Sequence, residues 1–199
     1  MLPCPLFLVA TVFIFHGIGG NPDENWFPWI AAELTKAGHA VRIPHFPHAG
    51  HPELREWIEH FEQYKPLLNA ETILVGHSLG STFALRLLER SPQPVRATFL
   101  VAPVWSIMGN KFDPLITSFT APPYHWENIR KNAGTIHVIN ADNDPYITLE
   151  KAQALAANLG RSVTLIRNGG HFNTEAGFME FPQLLRMIQE GSAHYPSGR

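Results

Sequence analysis

Thr72-Ile-Leu-Val-Gly76-His77-Ser78-Leu79-Gly80-Ser81 is an apolar, β-rich run that breaks into Gly-x-Ser-x-Gly and passes straight into a helical pattern. Thr72 to Val75 reads as a strand. Leu79, Phe83, Leu87 and Leu88 then recur at helical intervals as far as Arg90. A strand that turns at once into a helix forces the middle residue of the turn into a strained conformation with its side chain outward. Gly76 and Gly80 lack the Cβ atoms that would collide at so sharp a bend. Ser78 is therefore a candidate nucleophile. A helix starting at Leu79 leaves its first N–H groups without intrahelical partners, pointing at the space in front of Ser78 where an oxyanion would form.

A serine hydroxyl needs a general base within hydrogen-bond reach, itself oriented by a buried carboxylate. His171 is the candidate base, because Gly169 and Gly170 place it on a loop right after an apolar strand at Ser162 to Ile166. Two candidates for the acid, Asp142 and Asp144, follow the strand Thr135 to Asn140. Asp144 is preferred: Pro145 fixes the turn beyond it and Ile147 can anchor the loop in the core, whereas Asp142 more naturally caps the turn. Upstream, His16-Gly17-Ile18-Gly19-Gly20-Asn21 can bring backbone N–H groups to the reacting centre. Leu79 and Ile18 are the expected oxyanion donors, with Gly17 or Gly19 as alternatives to Ile18. Contacts to substrate are expected from His16, Gly17, Trp26, Trp105, Trp126 and Phe172. For Trp26, with Trp29 on the same helix, spacing is equally compatible with a place in the core.

Outward from this stretch, strands alternate with helices. A continuous apolar strand near residues 9 to 15 is of the kind covered on both faces, and Trp26 to Ala37 is a helix stopped by Gly38. A short strand, His39 to Pro44, ends in a proline that suits a sheet edge. His45, His48 and His51 follow at intervals of three, but Pro44, Pro47, Gly50 and Pro52 deny them a rigid scaffold, so they read as a solvated loop with no metal. Pro52 to Tyr64 is an amphipathic helix, and Ala97 to Val101 a further strand. Residues 104 to 131 show no clean period and hold Trp105, Phe112, Phe119, Tyr124 and Trp126, an aromatic insertion suited to a short cap over the pocket. Helices are expected from about Thr148 to Asn158 and from about Thr174 to Gln189. The alternation implies an α/β fold, a mostly parallel twisted sheet covered on both sides, with residues 1–199 forming a single domain.

Apolar residues at 45% and charged residues at 16% describe a chain able to build one large core, and a formal charge of -2 gives no electrostatic reason to expect nucleic acid or an anionic membrane as partner. The apolar start, Leu2 to Phe15, lacks a basic leader and is too short to span a bilayer. Cys4 is the only cysteine, between two prolines, which excludes an internal disulfide and fits a reducing, cytoplasmic setting. No cofactor is implied.

Gly76-His77-Ser78-Leu79-Gly80, Trp126-Glu127-Asn128-Ile129, Asp144-Pro145-Tyr146 and Gly170-His171-Phe172-Asn173 resemble the small serine hydrolases grouped with retinoblastoma-binding protein nine, within the α/β-hydrolase superfamily. The chain order Ser, Asp, His is the order of that superfamily. The resemblance implies Ser78, Asp144 and His171 as a triad, and a three-layer sandwich trimmed to six strands in spatial order 2-1-3-4-5-6. It also implies hydrolysis of small carboxylic esters, with amidase, aminopeptidase-like or thioesterase activity on the same residues as the alternative. A non-catalytic interaction protein of the same fold is the reading from another class.

Overall fold

In the computed structural model, residues 9–192 are described; Cys4 and His194 lie outside them. The apolar runs form the strands β1 (Thr11–Phe15), β2 (Ala40–Arg42), β3 (Ile73–His77), β4 (Ala97–Val101), β5 (Thr135–Ala141) and β6 (Val163–Ile166). All pair in parallel in the order β2-β1-β3-β4-β5-β6. Every residue of β3 and β4 is buried, whereas β2 and β6 at the edges are half-exposed, because only central strands are covered on both faces. Between the strands lie α1 (Phe27–Lys36), α2 (Leu54–Phe61), α3 (Leu79–Arg90), α4 (Asp113–Thr120), α5 (Trp126–Asn132), α6 (Leu149–Asn158) and α7 (Pro182–Ser192). α2, α4 and α5 gather around α3, while α1 packs on α7.

Each helix stops where local chemistry dictates. α1 ends at Gly38, whose φ of +92° is open to glycine alone without strain, and Thr148 caps α6 by accepting from the Lys151 N–H. The helix expected over Pro52 to Tyr64 is shorter, α2 giving way to a 3-10 turn at Glu62–Leu67 with Pro66 inside it. Likewise the C-terminal segment begins as a 3-10 turn, Thr174–Ala176, and becomes helical only at Pro182.

α3 is the centre of the core. Phe83 sits among four rings, those of Phe15, Phe46, Trp57 and Phe61, at centroid distances of 5.1, 4.7, 5.6 and 5.8 Å. Such edge-on pairs add about 0.5–1.5 kcal/mol each beyond area burial.

Residues 104 to 131, aperiodic in sequence, contain the two short helices α4 and α5. Buried Arg86 of α3 supplies what periodicity does not: its Nε donates to the Phe119 carbonyl at 2.9 Å, Nη2 to Pro122 at 2.6 Å and Nη1 to Pro123 at 3.2 Å. The same guanidinium pairs with Glu89 at 2.9 Å and lies 3.7 Å over the Tyr124 ring. Thr82 of α3 also donates to the Val104 carbonyl. The segment is thus held by donors from α3 together with the buried side chains of Ile116, Phe119 and Ile129.

Replacing Arg86 by Met removes the donor of those three carbonyls and leaves the buried Glu89 side chain with only the more distant Arg90 as cation, 3.6 Å away. We expect a loss of about 3 kcal/mol. In thermal unfolding this corresponds to a fall in Tm of roughly 6–12 °C for a chain of this size.

Candidate active site

Ser78 stands between β3 and α3 with φ 55° and ψ -120°, a region costly for a residue with a Cβ. The turn is held by the Ser78 N–H, which donates to the Val101 carbonyl at 2.9 Å, and by the Ser78 carbonyl, which accepts from Ser81 at 3.0 Å. Glycine is required around it by contact distances. A Cβ on Gly80 would fall 2.2 Å from the Phe15 carbonyl oxygen, one on Gly76 2.5 Å from the Gly80 oxygen, and one on Gly17 2.9 Å from the Ser78 Cβ.

The loops after β5 and β6 are laced together by three consecutive side chains. Asp142 accepts from the Asn168 N–H at 2.8 Å, Asn143 accepts from Gly170 at 2.8 Å, and Asp144 faces His171 Nδ1 with its oxygens at 3.0 and 3.2 Å. The Asp144 side chain has no solvent exposure and also accepts from the Tyr146 and Ile147 N–H groups at 2.8 and 3.0 Å. A carboxylate only accepts, so Nδ1 of His171 carries a hydrogen and Nε2 is the ring nitrogen left without a partner among the described residues. Asp142 shapes the loop and does not reach the imidazole.

Ser78 and His171 line one cavity of about 340 Å³, together with Gly17 and Ile18. No hydrogen bond joins the Ser78 hydroxyl to the imidazole in this conformation, and one is commonly long or absent without substrate. The Gly19 N–H donates to the Ala49 carbonyl at 2.7 Å, which removes it as an oxyanion donor. Neither Ile18 nor Leu79 donates its N–H to another described residue.

The cavity walls differ from the sequence expectation. Met108, Phe112 and Tyr146 form the apolar side, and Glu24, Asn25, Asn173, Thr174 and Glu175 the polar side. Of the expected substrate contacts, Gly17 is at the wall. His16, Trp26, Trp105, Trp126 and Phe172 are not. His16 is fully buried, its Nδ1 donating to the Gly17 carbonyl at 3.0 Å and its Nε2 accepting from Phe46 at 3.3 Å, so it holds the glycine loop in place. Trp26 is buried and donates from Nε1 to the Phe172 carbonyl at 2.9 Å. The Phe172 ring stacks on Phe181, 5.2 Å away. Trp105 donates to the Lys151 carbonyl at 2.9 Å, and Trp126 stacks on Tyr124 at 4.6 Å. Spacing marks these rings as apolar but does not say which side they bury. The signal that finds Phe112 and Tyr146 is their place in loops following β4 and β5, at the carboxyl end of the sheet.

Burial governs the charges here. It lifts the Glu24 carboxyl above its ordinary range, against hydrogen bonds from Asn21 and Asn25 that pull it back. It lowers His16, and it lowers His77 to about 3, with the neighbouring His171 acting in the same direction. His77 Nε2 lies 2.8 Å from the His171 carbonyl oxygen, which can only accept, so His77 is neutral with its hydrogen on Nε2.

A family model described as serine hydrolase matches residues 12–190, and the chain belongs to that family. It is 26% identical to the YdeN protein of Bacillus subtilis over 175 residues, covering 88% of this chain and 92% of YdeN. It is 24% identical to the serine hydrolase RBBP9 of Rattus norvegicus over 181 residues, 90% of this chain and 93% of the relative. The crystal structure of the B. subtilis ydeN product superposes with a TM-score of 0.84 at 25% identity, covering 92% of this chain and 98% of that one.

The neutral histidines make stability depend on pH. From 6.5, the ordinary value, down to about 3, the unfolded chain binds a proton at residue 77 that the folded chain excludes, so stability falls as pH drops. His77 alone contributes about 1.4 kcal/mol per pH unit over this window. His16 acts in the same sense, and Glu24, raised above 4.5, in the opposite one. Urea unfolding between pH 6 and pH 5 should show this loss in the wild type and about one proton less of slope in His77→Gln. An unchanged slope would contradict the neutral, locked imidazole.

Proposed function

We propose that this serine hydrolase cleaves small carboxylic esters through an acyl-enzyme on Ser78, with His171 as general base and acid and Asp144 as its orienting carboxylate. The observation that supports this most is the shared cavity: Ser78 and His171 line it beside Ile18, while Asp144 occupies the far side of the same imidazole.

In this reading Ser78 Oγ attacks the ester carbonyl carbon as His171 Nε2 takes the hydroxyl proton, and Asp144 stabilises the imidazolium that forms. The Ile18 and Leu79 N–H groups, neither of which is donated to another described residue, receive the oxyanion. Collapse of the tetrahedral intermediate expels the alkoxide, which leaves as the alcohol with the proton from His171. Water then attacks the acyl-enzyme, its proton goes to His171, and the free acid departs as Ser78 is reprotonated. An ester makes less demand on this set than an amide, because an alkoxide can depart from the tetrahedral intermediate unaided, whereas an amide nitrogen must first be protonated by His171.

Glu24 and Glu175 line the polar wall and no lysine or arginine does, which favours a neutral or cationic substrate over an anionic one. Amino-acid esters or amides fall within that class.

A fluorophosphonate probe should label the wild type and leave Ser78→Ala unlabelled; a folded wild type that resists the probe would refute the hydrolase mechanism. Asp144→Asn should lower kcat by about 10⁴-fold, as loss of the orienting carboxylate does in such triads, with Asp142→Asn far milder. On paired ester substrates, Glu24→Gln should raise KM for the cationic one severalfold and leave the neutral one nearly unchanged.

A further inference from the structure

The residue between Gly76 and Ser78 has no part in the proton transfers above, yet it is an imidazole buried to 3% exposure at the end of β3. Its ring packs among those of Trp26, Phe27 and His171, with centroids at 6.1, 5.8 and 5.0 Å. Nδ1 has no hydrogen-bond partner. An orphaned buried acceptor costs about 1–3 kcal/mol, and an apolar ring such as phenylalanine would fill the same space without it. What the imidazole adds is one N–H, donated from Nε2 to the carbonyl of His171, 94 residues away, at 2.8 Å.

That bond has a particular reach. Asp142, Asn143 and Asp144 tie the 168–171 loop to the end of β5, and so fix it relative to the far half of the sheet. Trp26 and Asn25 tie the residues beyond it, Phe172 and Thr174, to the start of α1. His77 is the donor covalently adjacent to Ser78, so its bond sets the loop against the serine turn itself. The loop needs such a tether, since Gly170 and Phe172 on either side of His171 both have positive φ, 53° and 50°. Positive φ is strained for phenylalanine and persists only where the surroundings enforce it.

We propose that His77 is a positioning residue: its Nε2–H holds the His171 carbonyl and thereby sets the distance between the His171 imidazole and the Ser78 hydroxyl. The inference rests on the reading that His171 serves Ser78. Displacing a base by about 1 Å costs on the order of 100-fold in rate with little effect on ground-state binding.

The test uses the full chain with three substitutions. Gln reaches the Nε2 position through the same number of bonds as His, Asn stops one bond short, and Phe keeps the ring without a donor. With p-nitrophenyl acetate and the fluorophosphonate probe, His77→Phe and His77→Asn should lose about 10- to 100-fold in kcat and in labelling rate with KM within about twofold, while His77→Gln returns most of the loss. Thermal melts establish that each variant is folded, and Asn stands in for Phe if Phe is not. Wild-type rates in the folded Phe and Asn variants, or a Gln variant as slow as they are, would overturn the proposal. A wild type inert to the probe would instead defeat the hydrolase mechanism, so the two failures are told apart.

Discussion

Three backbones approach one another at Ser78 more closely than β-carbons permit. The Phe15 carbonyl at the end of β1 lies where a Cβ on Gly80 would be, Gly76 of β3 meets the first turn of α3, and Gly17 closes on Ser78 from the other side. With that space taken by backbone, the serine can occupy a left-handed turn and face the cavity, and the Gly17–Ile18 peptide can lie along the same wall. Parallel pairing of β1 with β3 brings these pieces together, because register sets Phe15 opposite Gly76. The rest of the site is arranged against this junction.

Around it, side chains that resemble pocket residues in sequence act as struts. His16 and Trp26 each use ring nitrogens to hold the backbone of a loop that borders the cavity. Aromatic rings suit this task because they fill core volume and still carry a polar handle. Arg86 does comparable work from α3, satisfying three carbonyls of the 104–131 segment, while Asp113 accepts from the Met108 and Gly109 N–H groups at 2.7 Å beside the cavity. The rigidity proposed for catalysis therefore arises from hydrogen bonds made away from the cavity.

Electrostatically the site is divided. Its buried imidazoles at 16 and 77 are held neutral by desolvation, whereas His171 has a carboxylate on one nitrogen and the cavity on the other. Three histidines of identical intrinsic chemistry thus stand in different surroundings, and of these only His171 has a carboxylate against its ring.

Local chemistry is what a sequence displays, and here it sufficed for the Gly-x-Ser-x-Gly turn, the alternation of strands and helices, and Pro145 and the paired glycines that mark Asp144 and His171. These features depend on residues within a few positions of one another, so the chain order alone reveals them. The spatial order of the strands followed from resemblance rather than from any spacing. That Trp26, Trp105 and Trp126 turn away from the cavity, that 104–131 holds two helices, and that Gly19 is already bonded to Ala49 were decided only by tertiary structure. Each depends on a partner far along the chain, such as Lys151 for Trp105 or Phe172 for Trp26. Hydrophobic pattern records that a side chain is buried; which neighbour buries it is settled only when the distant segments meet.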